Sequence, residues 1–350
     1  MKVLYLYSGT RKDKFKGKIG VDYPDTQFYG LNHLGKFGIE AEFKEPKKSL
    51  GFRLRHFLMY FTARKYDIVF GSSILYMAFW KKIIPTKTKF VLLNISLGRT
   101  IAANKNRFLK RQILSWILKE IDAVVCLTSV QKEYLERSAP FLKDKIYPVP
   151  LGVDTNYYRP VYKDRKNYIL SAGRDNGRDY KTVVETAKLM PEEEFHIVCS
   201  KRNLEGLNKI PKNVKIFFDL PLEELVKKYG EAKLLLLITH DDNFLDGSDC
   251  SGQTVLLDAM ASGLPVVASR KKYLKDYAED GREILLVDFY SPANIMEKIN
   301  VLNNNTEMRL KQASNARERA EKELSTESMA KKLAAIFNGL INAKKHGSIT

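Results

Sequence analysis

Cysteine is scarce: Cys126, Cys199 and Cys250 are the only three in a chain of 350 residues. They are scattered and show no metal-ligand spacing. This excludes a disulfide-stapled scaffold and a Cys/His metal module, and it points to a reducing, cytosolic setting. Long apolar runs are also missing. No stretch approaches the ~20 residues of a membrane span. The apolar core of residues 1–9 is too short for a signal peptide and reads as a buried first strand. There is no low-complexity tract and no short internal repeat. With 44% hydrophobic and 11% aromatic residues, disorder as the main state is excluded. Acids are short in one half only. Residues 1–150 hold 28 Lys+Arg against 12 Asp+Glu, whereas residues 151–350 hold 31 against 29. The surplus behind the net charge of +18 therefore sits in the first half. It implies an anionic partner there: a membrane surface, a phosphorylated acceptor or nucleic acid.

The length favours two domains of roughly 150–200 residues. Apolar strand-like segments alternate with helical spacing in both halves, which predicts parallel sheets covered on both faces. In the first half the strands are expected at 2–7, 41–43, 66–70, 89–93 and 122–127. Helices are expected at 26–37, with Asp25 as N-cap, at 105–120 and at 130–137. Residues 146–154, with Pro148, Pro150 and Gly152, read as a linker. The pattern then restarts, with strands at 168–172, 194–199, 214–218, 233–238, 266–268 and 284–287. Helices follow at 180–188, 222–229 and 253–261, and again from 292 to 343. The expected division is 1–150, 151–325, and a C-terminal helix, 326–350, that crosses back to the first domain. Ligands in such sheets sit beyond the carboxyl ends of the strands.

Two segments carry candidate chemistry. Gly173-Arg174-Asp175-Asn176-Gly177-Arg178-Asp179-Tyr180-Lys181 lies between a strand and a helix. Its glycines permit close backbone approach, and two guanidiniums four residues apart could clamp a diphosphate from one side. Lys181 competes with Arg178 for the second cation. The other segment runs from Cys250 to Val267. A small polar turn, Cys250-Ser251-Gly252-Gln253-Thr254, opens a helix that carries Asp258, and Ser262-Gly263-Leu264-Pro265 leads into a strand. Its helix N-terminus offers backbone N–H groups to anionic or sugar oxygens.

The second segment resembles the donor-sugar signature of the GT-B glycosyltransferases of family 4 (glycosyl transferases group 1). There Glu-Gly-Phe-Gly, four more residues, and Glu-Ala-Met-Ala-x-Gly-x-Pro-Val are usual. The resemblance implies two Rossmann-like domains. A nucleoside-diphosphate sugar, of UDP or GDP type, binds the second domain and the acceptor binds the first. It implies Arg174 and Arg178 as catalytic and donor-phosphate residues, helped by Lys181 and Thr254, and Asp258 as the acceptor of both ribose hydroxyls. Cys250 stands where the family has its first acid. Ser251, Gly252, Gln253 and Thr254 could hold the sugar instead, with the Gln253 amide replacing part of the acid. Alternatively, Asp246 or Asp249 could swing in, or activity could be lost. The segment from Gly152-Val153-Asp154 to Tyr157-Tyr158-Arg159-Pro160 resembles the family's interdomain link.

The resemblance implies a retaining transfer with side-chain cations in place of a metal. Asp241-Asp242 and Asp246-Gly247-Ser248-Asp249 do not follow a strand as the Asp-x-Asp motif of the other glycosyltransferase fold does. No cofactor is expected. In the first domain, Gly17 and Gly20 occupy the family's acceptor and phosphate loop, and Asn94, Ser96 or Arg99 stand where relatives carry a His. The stretches 47–61 and 107–119 mix bases with large apolar residues, as interfacial helices do. Peripheral contact with the inner face of an anionic cell membrane, and a glycan, phospholipid or lipid-linked acceptor, are the expectation. A nucleotide-sugar epimerase of the same fold is the alternative, with a basic nucleic-acid-binding protein behind it. Neither an acid pair or His at Cys250 nor a recognised nucleic-acid motif supports them.

Overall fold

The computed structural model describes residues 1–7, 22–45, 51–160, 166–207, 209–244 and 246–346, without the side chains of 52, 53 and 343–346. The chain forms two compact units, Met1–Gly152 with Thr326–Thr350, and Val153–Ser325. Among the described residues no helix is long and apolar enough to cross a membrane.

In the first unit, β1 (Lys2–Leu6), β2 (Glu40–Lys44), β3 (Ile68–Gly71), β4 (Lys89–Asn94), β5 (Ala123–Cys126) and β6 (Ile146–Pro148) form one parallel sheet, ordered β2-β1-β3-β4-β5-β6. Its central strands are apolar on both faces, as helices on both sides require. The helices are α1 (Phe52–Ala63), α2 (Leu75–Ile83), α3 (Leu97–Ala103), α4 (Phe108–Leu118) and α5 (Ser129–Ser138). Leu4, Val69, Phe90, Leu92 and Val124 join Tyr60, Met77, Leu118 and Leu135 in the core.

Three expectations need correction here. The helix at 26–37 is two 3-10 turns, Asp25–Phe28 and Leu31–Phe37, and Asp25 is a buried first residue behind a Pro24 cap. Tyr29 and Gly30 break the run in left-handed conformations. A Cβ on Gly30 would come 2.9 Å from the Ala330 nitrogen, so the chain bends where it meets a distant helix. The expected helix at 105–120 starts only at Phe108, after the separate α3. Residues 146–148 are not linker but β6, the edge strand beside β5.

In the second unit, β7 (Tyr168–Ala172), β8 (Glu194–Cys199), β9 (Val214–Phe218), β10 (Leu234–Leu237), β11 (Val266–Ser269) and β12 (Leu285–Val287) form a second parallel sheet. Its order is β12-β11-β10-β7-β8-β9. The helices are α6 (Tyr180–Leu189), α7 (Leu222–Glu231), α8 (Gln253–Ala261), α9 (Pro292–Asn304) and α10 (Thr306–Lys322). Caps fix their starts: Asp179, Ser291 and Asn305 each accept a backbone N–H from the first turn. After β7 the chain winds outward through β8 and β9, then returns to the other side of β7 as β10. The topological switch point therefore lies between β7 and β10, and the loops leaving these two strands meet there.

The last helix, α11 (Thr326–His346), belongs to the first unit. Phe337 packs edge-on against Phe70 of β3, with ring centroids 5.7 Å apart. His33 contacts Asp25 at 2.8 Å and Thr326 at 3.1 Å, joining the 3-10 turns to the start of α11.

Candidate active site

The loop after β7, residues 173–179, is held by its own polar groups. Asp175 accepts from the Gly177 N–H at 3.1 Å, and Asn203 and Arg202 donate to the carbonyls of Asp175 and Arg174. It is also joined to the loop after β10. His240 N–H donates to Gly177 O at 2.9 Å, Asp179 N–H donates to Ile238 O at 3.1 Å, and Arg178 bridges Thr239. A Cβ on Gly177 would fall 2.0 Å from Ser251 Oγ. The switch point thus brings both sequence segments into contact, although more than 70 residues separate them.

Arg178 lies at the centre. Its side chain is buried, passing between Gly173 and Gly252. A Cβ on Gly173 would meet Arg178 Nε at 2.6 Å, and one on Gly252 would meet Nη1 at 2.6 Å and Leu237 Cδ1 at 2.5 Å. Both glycines have positive φ, so the backbone shape and the guanidinium together demand the missing side chains. Nη2 donates to Ala172 O, whereas Nε and Nη1 have no hydrogen-bond partner. Gly252 is also the cap of α8, whose N-terminal end carries partial positive charge. A buried, half-satisfied cation beside that end makes a local surplus of positive charge, which an anion would relieve.

Arg174 behaves differently. It is exposed, 3.6 Å from Asp219 and 3.5 Å from Leu220 O, at the end of β9. The two guanidiniums share no partner, so the expected one-sided clamp is not formed: burial claims Arg178 for the floor and leaves Arg174 at the rim. Lys181 is exposed in the first turn of α6, and Thr254 is half-buried on α8.

The turn before α8 is built from its own hydroxyls and two tyrosines. Ser251 Oγ accepts from Ser248 N–H and donates to Ser248 O, both at 2.9 Å. Tyr273 donates to Ser251 O at 2.9 Å, and the Gln253 amide nitrogen donates to Tyr277 Oη at 2.5 Å. The Gln253 amide expected to replace part of the missing acid's role therefore has its nitrogen engaged in holding the turn. Cys250 is half-exposed, and Asp246 and Asp249 are exposed. The tyrosines escaped sequence reasoning, although their i, i+4 spacing in 273–277 was visible.

Asp258 is fully buried, not open to solvent. Burial raises its pKa well above the ordinary carboxylate value, against an opposing hydrogen bond from Tyr158. The acceptor-only carboxylate of the sequence reading thus sits where burial works against its charged form. Its Oδ1 has no partner, nor does the buried Tyr229 hydroxyl, whose own pKa Asp258 helps to raise. Arg317 of α10 donates to Tyr158 O at 2.7 Å, to Thr155 O at 3.0 Å and to Ala261 O, tying the segment that carries Tyr158 to the end of α8.

Nearby, the buried Lys271 bridges Asp242 at 3.1 Å and donates to Asp241 O at 3.0 Å, which occupies one of the acids weighed as a metal ligand. Among the described residues no three His, Cys, Asp or Glu side chains gather as a metal site. In the first unit, Asn94 is an internal cap: it accepts from Leu97 N–H at 3.0 Å and donates to Cys126 Sγ at 3.6 Å. Ser96 and Arg99 remain exposed. Gly17 and Gly20 lie outside the described residues.

Residues 174–335 match a family described as glycosyl transferase-like. A D-inositol 3-phosphate glycosyltransferase of Corynebacterium efficiens is 28% identical over 148 residues, 42% of this chain and 33% of that protein. Its counterpart from Corynebacterium kroppenstedtii is 25% identical over 179 residues, 47% and 38% of the two chains. The matches thus span about a third of these relatives' length. Among solved structures, sucrose-phosphate synthase from Thermosynechococcus elongatus superposes with a TM-score of 0.73 at 16% identity, covering 98% of this chain and all of that one. HepE from Anabaena, in complex with UDP, gives 0.70 at 14% identity, covering 97% and 100%. These likenesses show the fold, two Rossmann-like units of the GT-B kind.

Proposed function

We propose that this protein, whose residues 174–335 match a family described as glycosyl transferase-like and whose fold is of the GT-B kind, is a retaining, metal-independent glycosyltransferase. It moves a sugar from a nucleoside-diphosphate sugar to an anionic or lipid-linked acceptor. One observation carries the reading: the buried Arg178 guanidinium, with two unpartnered nitrogens, lies beside the N-terminal end of α8 at the switch point. A diphosphate there would answer both positive features at once.

In this reading the bond between the sugar carbon and the diphosphate breaks, and the acceptor oxygen bonds to that carbon on the same face. The acceptor proton passes to the departing phosphate. Negative charge grows on the diphosphate, and fixed cations aimed at it lower the barrier, by about 3 kcal/mol for one good donor. Arg178 supplies a fixed charge. Arg174 is held by an exposed ion pair worth little and a long hydrogen bond to Leu220 O, so it can turn to the phosphate. The Cys250, Ser251 and Gln253 N–H groups already donate within the turn, so the sugar hydroxyls are left to the remaining N–H groups at the start of α8, and Cys250, a poor acceptor, alters which sugar is read. Asp258, with its unpartnered Oδ1, contacts the ribose once the segment carrying Tyr158 moves to uncover it. HepE is recorded with UDP-glucose, and we take UDP-sugars as the first donors to test. The first unit, with 32 Lys+Arg and 13 Asp+Glu, takes the anionic acceptor.

The test is thermal stabilisation by UDP-, GDP- and ADP-sugars, with Arg174→Ala as the control. One donor should raise the melting temperature of the wild type. Arg174→Ala should melt unliganded like the wild type, because the side chain is exposed. It should respond weakly to the donor and turn over roughly 100-fold more slowly. No response to any nucleotide sugar, or an equal response from the variant, would sink the assignment.

A further inference from the structure

Helices α1, α2 and α4 lie side by side, joined by a seam of rings. Phe57 meets Trp80 at 4.6 Å, and Phe79 meets Trp116 at 5.9 Å. Their outer surface is unusually apolar. On α4, Phe108 is 64% exposed and Leu109 74%, with Ile113 and Trp116 also exposed. At 100° per residue these four fall within one side of the helix, while Leu114 and Leu118 face the core. Leu58 and Phe61 of α1 and Tyr76 of α2 are exposed as well.

Bases outnumber acids in the same region. Residues 51–119 contain 14 Lys+Arg and one acid, Asp67, which accepts from the Lys2 N–H at 2.7 Å; Glu120 and Asp122, just beyond, pair with Lys81, Lys82 and Lys89 and leave the α4 bases out of these pairs. Lys110 and Arg111 are exposed on either flank of the α4 stripe, with Lys105 and Arg107 at its start. The first unit carries a net charge of +19 and the second −1.

We infer that the α1–α2–α4 face docks on an anionic lipid bilayer, the protruding side chains entering the headgroup–acyl boundary and the bases meeting lipid phosphates. The charge pattern selects this occupant. A second copy of the chain would set like charge against like. Nucleic acid would satisfy the bases but leave the apolar side chains in water. Only a surface that is both acidic and oily satisfies both sets. The inference does not depend on the donor-site assignment.

Both tryptophans of the chain, Trp80 and Trp116, belong to this face, so their fluorescence reads it directly. The full chain is mixed with phosphatidylcholine vesicles with and without phosphatidylglycerol. The expected result is sedimentation and a blue shift with the anionic vesicles only, reversed by high salt. A Trp80→Phe protein should keep the shift through Trp116. Leu109→Glu with Ile113→Glu, both at exposed positions, should weaken binding by about tenfold or more. Lys110→Glu with Arg111→Glu should abolish the preference for anionic lipid. No sedimentation, equal binding to neutral vesicles, indifference to these substitutions, or a vesicle-free dimer that Leu109→Glu disperses would each overturn it. The nucleotide-sugar melting response of these variants should stay that of the wild type, which keeps failure of docking distinct from failure of the donor site.

Discussion

Gly252 and Asp258 show how single residues set the site. At Gly252 a side chain would strain a left-handed backbone and press on Arg178 and Leu237 together. Gly252→Ala should cost about 2 kcal/mol or more in a denaturant titration, and should weaken donor binding beyond that because Arg178 is displaced. Asp258 has a different signature. Its folded-state pKa lies above its unfolded value, so the folded protein holds this proton more tightly. The stability this group contributes is complete below about pH 4 and is lost as pH rises through the folded-state pKa. Asp258→Asn cannot ionise but can still accept from Tyr158. Its melting temperature relative to the wild type should therefore climb between pH 4 and pH 8. A difference independent of pH would mean that burial does not perturb this carboxyl.

At the scale of elements, the site is a consequence of strand order. β7 and β10 are neighbours because the chain reverses its winding direction between them, and that alone seats Ser251 against Gly177. α10 contributes through Arg317, whose guanidinium satisfies carbonyls of Thr155, Tyr158 and Ala261. Arg317→Ala would leave these acceptors short of a charged donor. A loss of about 2–3 kcal/mol is expected, together with altered donor binding through the slackened Tyr158 segment. Chemical denaturation of the variant, followed by donor titration, checks both parts. Unchanged donor affinity would confine Arg317 to a structural role.

At the scale of the whole molecule, the C-terminal helix α11 is grouped with the first unit although most of the chain intervenes. Met329, Ala330, Leu333 and Phe337 are buried. Phe337→Ala removes the ring that packs on Phe70 and should destabilise the protein by about 3–5 kcal/mol. If the units unfold separately in a calorimeter, the first unit's transition should shift and the other should stay. The charge division follows the same boundary. The second unit is nearly neutral, so salt-dependent association with anionic surfaces should follow substitutions in the first unit alone.

Much of this was legible in the chain. The apolar runs at 168–172, 194–199 and 214–218 and the helix at 253–261 coincide with β7, β8, β9 and α8, because short apolar runs bounded by turn residues and a helical apolar face announce themselves locally. The charge imbalance and the two candidate segments were equally local facts. What was not local was hidden. The break at Tyr29 and Gly30 answers to Ala330, three hundred residues away. Edge strand β6 looked like linker because its partner β5 supplies the hydrogen bonds. Local patterning marked the candidate chemistry-bearing residues and most of the elements that bear them. Tertiary structure alone decided that Arg178 becomes a buried floor and Arg174 an open rim, and that Asp258 turns inward to Tyr158. Burial and charge pairing depend on what the rest of the chain brings alongside, and one-dimensional spacing does not encode it.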